Sequence, residues 1–245
     1  MKRKFRSIVN RNIFNKFGYD IVRFRRDEMG KFPLRDMARF LHNDHPLIFD
    51  VGANEGQTLQ SFHFEFPRGT IHSFEPSPTT FAKLKEQASE FENVHLWNCA
   101  LGSSPGPGRF LENSSSVMSS FLPLGKLGWG TITKETLVEV KTIDQFCREQ
   151  AIERIDILKS DTQGFDLEVF KGAEQTIRTN RIGLIFCEII FSDMYENLPS
   201  VSDVYDFLTA RDFLLVSFYQ FHFQRQLASW TDALFVHQSY IRTST

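Results

Sequence analysis

From residue 46 onward the chain alternates short apolar runs with stretches of helical periodicity, and no other feature constrains its fold as strongly. Leu47-Ile48-Phe49-Asp50-Val51 is a nearly continuous apolar run stopped by Gly52, as expected for a parallel strand buried on both faces. Residues 70–74 and 94–99 read as the second and third strands. A helix is expected to start near Glu55 and carry Thr58, Leu59 and Phe62, and another covers residues 78–91. The pattern resumes with strands at 155–160, 182–189 and 213–217, separated by helical stretches. Strands alternating with helices make an α/β domain with a doubly wound parallel sheet. The final strand, 233–236, follows 213–217 without a helical pattern between them, so the two are expected to end the sheet as an antiparallel hairpin. Residues 102–142 are long for a connection in such a fold, which marks them for a functional role. The organisation expected is a basic arm over residues 1–44 and one domain over residues 45–245.

Charge is distributed unevenly. Residues 1–26 hold nine Lys and Arg against Asp20 alone, or +8, so a chain-wide charge of -2 leaves -10 for the remainder. Phe5, Ile8, Val9, Ile13, Phe14 and Phe17 recur at helical spacing among those charges, and a basic amphipathic helix is expected there. Such a helix packs on its own domain or docks peripherally on an anionic membrane surface. A nucleic-acid partner is not expected, because no recognition motif accompanies the charge. No apolar run reaches the roughly 18 residues of a membrane span, and no apolar segment follows the basic arm as it would in a secretory signal. Cys99, Cys147 and Cys187 are too dispersed for a CxxC metal site or a disulfide framework. Free thiols in the cytoplasm are the simplest expectation. Twenty-six phenylalanines against five tyrosines point to a core of large apolar rings.

In an open α/β sheet, ligands bind beyond the carboxyl ends of the strands, where strand order reverses. The first such end reads Asp50-Val51-Gly52-Ala53-Asn54-Glu55-Gly56-Gln57-Thr58. Its D-x-G-x-x-x-G spacing departs from the G-x-G-x-x-G of dinucleotide folds. The carboxylates of Asp50 and Glu55 would repel a pyrophosphate and attract an ammonium or sulfonium, which disfavours a nicotinamide-dependent oxidoreductase. The next strand ends in Phe74-Glu75-Pro76, and an acid at that position can accept both hydroxyls of a ribose. Asn98-Cys99-Ala100 ends the third strand with small and polar residues. Asp161-Thr162-Gln163-Gly164 delivers polar groups to the same edge from the strand at 155–160.

These segments together resemble the FkbM family of S-adenosylmethionine (SAM) dependent methyltransferases. The resemblance rests on D-V-G-A-N-E-G-Q-T at 50–58, F-E-P at 74–76, N-C-A-L-G at 98–102 and L-K-S-D-T-Q-G-F-D-L-E-V-F-K-G-A at 158–173. E-I-I-F-S-D-M-Y at 188–195 and T-D-A-L-F-V at 231–236 extend it. It implies a class I methyltransferase fold, Rossmann-like, with about seven strands and a reversed last strand. It also implies O-methylation of sugar hydroxyls in surface polysaccharides or of secondary-metabolite hydroxyls, so the expected partner is a glycan or small-molecule acceptor. Many relatives carry D-x-E-G where this chain has Asp161-Thr162-Gln163-Gly164, so a carboxylate role there falls to Asp161, Asp166 or Glu188.

Under that resemblance Asp50, Gly52, Asn54 and Glu55 face the methionine moiety, with Gln57 and Thr58 completing the loop. Glu75, flanked by Pro76, takes the ribose, and Asn98 and Ala100 lie near the adenine. Asp161 and Gln163 stand between cofactor and acceptor. An alcohol is a poor nucleophile, so Asp161 is the first candidate for general base and Glu188 the second. Hard oxygen ligands at Asp161 and Glu188 would suit magnesium, but no sequence pattern calls for a metal. The serine-rich segment 114–120 and Trp129, both in the long connection, are candidates for covering the cleft and contacting a polar acceptor.

Overall fold

The computed structural model describes residues 28–241, and the basic helix expected over residues 5–17 lies outside them. Among the described residues the first element is helix α1 (Pro33–Phe40), followed by β1 (Leu47–Val51), α2 (Leu59–Glu65), β2 (Thr70–Phe74), α3 (Pro78–Ala88) and β3 (Val94–Trp97). After the long connection come α4 (Ile143–Glu149), β7 (Ile155–Ser160), α5 (Asp166–Lys171), α6 (Glu174–Arg178) and β8 (Ile182–Ile190). Helix α7 (Val201–Thr209), β9 (Phe213–Phe218), β10 (His222–Gln224) and β11 (Leu227–His237) follow. The main sheet has the order β3-β2-β1-β7-β8-β11, with β9 and β10 both pairing to β11. Strands β1, β2, β3, β7 and β8 are parallel, whereas β11 runs antiparallel to β8 and β9. The reversed terminal hairpin expected from the missing helix is therefore present, with β10 as an eighth strand.

Alternation along β1 shows why the strands read as unbroken apolar runs. Ile48 packs with Met37, Phe62, Ile71 and Leu84 on the α1–α3 face, while Phe49 and Val51 pack with Phe146, Val169 and Phe170 on the opposite face. Both faces are covered by helices, so neither can be polar. Phe49, Phe74 and Phe146 meet with ring centroids 4.9–5.6 Å apart, one use of the phenylalanine excess. Residues 33–41 belong to this packing: Met37 is fully buried, and the Tyr219 hydroxyl donates to Asp36 Oδ2 at 3.1 Å.

One local expectation changes. The helix expected near Glu55 begins only at Leu59, because Gly52, Asn54 and Gly56 all adopt positive φ and the intervening segment is a chain of turns. The long connection carries a sheet of its own. Strands β4 (Ala100–Leu101), β5 (Gly106–Asn113) and β6 (Ile132–Lys141) form a separate three-stranded sheet in the order β4-β6-β5. Its turn region folds back onto the domain through a bridge between Leu124 and Tyr195.

Candidate active site

Strand β1 lies between β2 and β7, so strand order reverses beside it and the chain leaves adjacent strand ends in opposite directions. A cavity of about 220 Å³ opens at this point. Its floor is the loop after β1, with Gly52, Asn54, Gln57 and Thr58. Glu75 and Pro76 line it from the end of β2, and Asp161, Thr162 and Gln163 from the end of β7. Ala100, Leu101 and Phe110 form an apolar side. Ser116, Val117, Ser119 and Phe121, all from the long connection, close another wall. The serine-rich segment is thus part of the cavity, whereas Trp129 packs on Trp230 at 5.8 Å and does not line it.

Backbone geometry at Gly52 makes the cavity what it is. Its φ is +74°, and a methyl group added there would lie 2.0 Å from the Asp161 carbonyl oxygen. The β1 and β7 exits can approach this closely only because position 52 lacks a side chain. The amides of Gly52 and Ala53 both donate to the Phe74 carbonyl at 3.0 Å, which ties the loop to β2.

Glu75 is buried, and its carboxylate accepts the backbone N–H groups of Asn54 at 3.0 Å and Ser77 at 2.8 Å. Burial pushes its carboxyl up to about 7, against the opposing pull of those two amides. Asn98 does not line the cavity. Its amide donates to the Glu75 and Pro76 carbonyls at 2.9 and 3.1 Å and braces the Glu75 turn from behind. Glu55 also stands apart. With Asn54 at φ +49° and Gly56 at φ +95°, its side chain turns outward to an ion pair with Lys83 at 2.6 Å. Asp50 is fully buried beneath the cavity floor and pairs with the Lys159 ammonium at 2.8 Å.

Lys159 escaped the sequence reading. Besides Asp50 it donates to the Gly52 carbonyl at 3.1 Å and lies 3.9 Å from Asp161 Oδ2. Burial alone would lower its pKa, but Asp50 and Asp161 outweigh that and hold the ammonium above its ordinary range. A signal existed: a lone lysine in a fully buried strand run survives only beside a carboxylate, and Asp50 opposes it across β1 and β7.

The register also assembles acids that the motifs kept separate. Ser160 pairs with Cys187, and Glu188 pairs with Asp232, so Asp161, Glu188 and Asp232 follow one another across β7, β8 and β11. Burial first, then Asp161 and Asp166, push the Glu188 carboxyl well above the carboxylate range. Burial likewise raises Asp166 and Asp232 to about 6. Glu188 borders a small depression beside Gly164 and Leu198 instead of the main cavity. Asp161 differs from these acids, since its side chain is 44% exposed and lines the main cavity. Among the described residues no group of three or more His, Cys, Asp or Glu side chains is disposed to hold a metal ion.

The donor set fits the SAM expected from the motifs. Asn54 Oδ1 and Thr162 Oγ1 are buried and lack hydrogen-bond partners among the described residues. Both residues line the cavity, Thr162 directly beside Asp161. Such acceptors suit an ammonium beside a sulfonium, and buried acceptors of this kind are costly unless a donor meets them. Glu75 offers a carboxylate to hydroxyl donors, and the Ala100–Phe110 side offers apolar surface to a flat ring.

Comparison with known proteins agrees with this geometry. Residues 50–215 match the methyltransferase FkbM domain. The 2-O-methyltransferase NoeI of Sinorhizobium fredii is 24% identical over 185 residues, which cover 71% of this chain and 75% of the relative. The 31-O-demethyl-FK506 methyltransferase FkbM of Streptomyces tacrolimicus is 30% identical over 154 residues, 52% of this chain and 59% of the relative. The hexuronic acid methyltransferase AglP of Haloferax volcanii is 26% identical over 162 residues, 63% and 62% respectively. The match thus spans less than two thirds of the latter two relatives. In structure, a methyltransferase FkbM from Methylobacillus flagellatus KT superposes with a TM-score of 0.51 at 14% identity, covering 79% of this chain and 44% of that one, and shares the fold. With the family match spanning more than half of its length, this chain belongs to the FkbM family of SAM-dependent methyltransferases.

Proposed function

We propose that the enzyme transfers the SAM methyl group to a hydroxyl of a sugar, polysaccharide or glycan-like small molecule. The observation that carries this reading is Asp161, a half-exposed carboxylate on the cavity wall at the switch point of the sheet. The relatives named as a 2-O-methyltransferase and a hexuronic acid methyltransferase support an oxygen acceptor on a carbohydrate. A secondary-metabolite hydroxyl is the second reading, favoured by the FK506 methyltransferase among the relatives. The nicotinamide-dependent alternative falls with the family match.

In this reading Gly52, Asn54, Gln57 and Thr58 hold the methionine moiety, and Asp50 and Lys159 support them from below. Glu75, its turn set by Pro76, accepts the ribose hydroxyls, and Ala100 with Leu101 and Phe110 packs on the adenine. When bound, the cofactor supplies a methyl group already activated by its sulfonium. What remains for the chain is to hold the acceptor oxygen in line and to take its proton. Positioning contributes at most about 7–11 kcal/mol to such a step, and a well-placed general base about 10²–10⁴-fold. Asp161 is that base. Glu188 borders the neighbouring depression and does not line the cavity, so it is not the proton acceptor. Asp161→Asn should leave SAM affinity within a few-fold of wild type while methyl transfer to a responsive glycoside falls about 10²–10⁴-fold. Near-normal turnover in that variant would remove Asp161 from the chemistry.

The basic arm over residues 1–26 belongs to the same proposal, as a peripheral contact with an anionic membrane from the cytoplasmic side. Nine positive charges interleaved with apolar residues at helical spacing support it. The free, buried Cys99, Cys147 and Cys187 suit a reducing compartment. Sedimentation with phosphatidylserine liposomes should carry down the full chain and not a form lacking residues 1–26. Equal sedimentation of both would end the membrane reading.

A further inference from the structure

Asp161 is held from a direction that the sequence motifs do not reveal. Its Oδ1 accepts a hydrogen bond from Gln163 Nε2 at 2.8 Å, and Gln163 Oε1 accepts one from the Tyr195 hydroxyl at 2.8 Å. Tyr195 is 2% exposed and lies on the segment after β8, thirty-two residues away in the chain. Gln163 itself is pinned. Its φ is +55°, a conformation unusual for a side-chain-bearing residue, and its carbonyl accepts the Ser120 hydroxyl at 2.8 Å. The long connection and the segment after β8 thus converge on one residue, the first at its backbone carbonyl and the second at its side-chain amide.

The donor–acceptor sense of this chain is not free. A carboxylate only accepts hydrogen bonds, so the amide must turn its Nε2 toward Asp161 and its Oε1 toward Tyr195. The hydroxyl must then donate to the amide. Burial, then the nearby carboxylates of Glu188 and Asp161, raise the Tyr195 phenol above its ordinary range, so it remains a neutral donor. Each link favours the ionised, proton-accepting form of Asp161. A carboxyl group at position 163 would do the reverse, because two carboxylates 2.8 Å apart share a proton.

We propose that Gln163 and Tyr195 are positioning residues, a directional hydrogen-bonded strut that holds Asp161 toward the cavity as a proton acceptor. The proposal rests on the reading of Asp161 as the general base. The other charged groups facing Asp161 are Lys159 on its own strand, Asp50 on β1 behind that lysine, Asp166 at the start of α5, Glu188 on β8 and Asp232 on β11. Gln163→Leu and Tyr195→Phe leave the charge of every one of these groups in place, so the strut can be tested without removing or adding a charge.

The test follows the Asp161 carboxyl signal by NMR in full-length protein labelled with ¹³C-aspartate, the signal being identified by its loss in Asp161→Asn. Gln163→Leu deletes the donor and should move the titration midpoint upward, and Gln163→Glu should move it further, by a pH unit or more. A variant that weakens only the fold would leave this midpoint in place. In parallel, SAM-dependent methylation of a panel of methyl glycosides is followed by release of S-adenosylhomocysteine. At pH 7 Gln163→Glu should be at least tenfold slower than wild type and should recover as the pH rises. Tyr195→Phe, which removes one hydroxyl from a packed ring, should slow turnover severalfold with SAM affinity unchanged. Midpoints and rates equal to wild type in these variants would overturn the strut while leaving Asp161 as base. Normal turnover by Asp161→Asn would instead overturn the base itself, and the strut's catalytic meaning with it.

Discussion

Glu75 is placed to make SAM affinity depend on pH. It ends β2 inside the cavity, its carboxyl is pushed up to about 7 by burial, and it is the group assigned to the ribose hydroxyls. Only the ionised form can accept two backbone N–H groups and hydroxyl donors together, so binding should favour deprotonation. Affinity should then rise with pH and level off above about 7. At pH 6 roughly a tenth of the molecules would carry the carboxylate, so affinity should be about tenfold weaker than at pH 8, or about 1.4 kcal/mol. Glu75→Gln keeps one acceptor oxygen but turns an NH₂ toward the other side and removes the charge, so the ribose loses a hydrogen bond to a charged group, about 1.5–3 kcal/mol. The variant should bind SAM about ten- to a hundredfold more weakly at pH 8, and this disadvantage should shrink toward pH 5.5. Calorimetric titration of both proteins across that range reads the effect. Asp166, Asp232 and the ligand's own groups titrate in both proteins, so the ratio of the two affinities isolates Glu75. A ratio that stays constant with pH would refute the assignment. The same shift has a folding counterpart of definite sign. A carboxyl whose folded-state pKa is raised stabilises the fold below its unfolded value, near 4.5, and loses that contribution as pH rises through about 7. Without ligand, wild type should lose stability from pH 5 to 8 more steeply than Glu75→Gln.

Two further substitutions probe the floor of the cavity. Gly52→Ala adds a left-handed conformational penalty of about 1–2 kcal/mol to a contact of 2.0 Å with the Asp161 backbone. At about 2–4 °C per kcal/mol for a domain of this size, thermal melting should fall by several degrees, and SAM binding should weaken at least tenfold. Unchanged melting and binding would mean that the β1 and β7 exits are not locked together. Lys159→Met leaves the buried Asp50 carboxylate without its ammonium and should destabilise by about 3–5 kcal/mol in chemical denaturation. Adding Asp50→Asn to it should restore much of that loss. Strictly additive losses in the double variant would show that the pair does not act as a unit.

Much of this protein is legible without coordinates, and what is legible is local. The buried strands announce themselves because helices cover both faces of the sheet, so Ile48 and Phe49 must both be apolar although they point in opposite directions. The reversed final strand follows from a connection too short and polar for a helix. Gly52, Asn54, Glu75, Asp161 and Gln163 are readable as one site because all lie at strand ends, and an open α/β sheet brings its carboxyl ends to a common edge.

What the tertiary structure decided is direction and partnership across the chain. Glu55 lies between Asn54 and Gln57, which both line the cavity, yet positive φ at Asn54 and Gly56 turns it outward to Lys83. Asn98 braces the Glu75 turn, a role visible only once its amide is seen to meet two carbonyls more than twenty residues away. Lys159 meets Asp50, and Glu188 meets Asp232, through strand register, a property of two strands that neither encodes alone. Tyr195 reaches Gln163 because residues 102–142 and the segment after β8 fold over the same edge. Periodicity reports whether a residue is buried. Which buried atoms face one another depends on backbone angles and registers fixed by packing between distant segments, and that is where this site acquires its acid–base character.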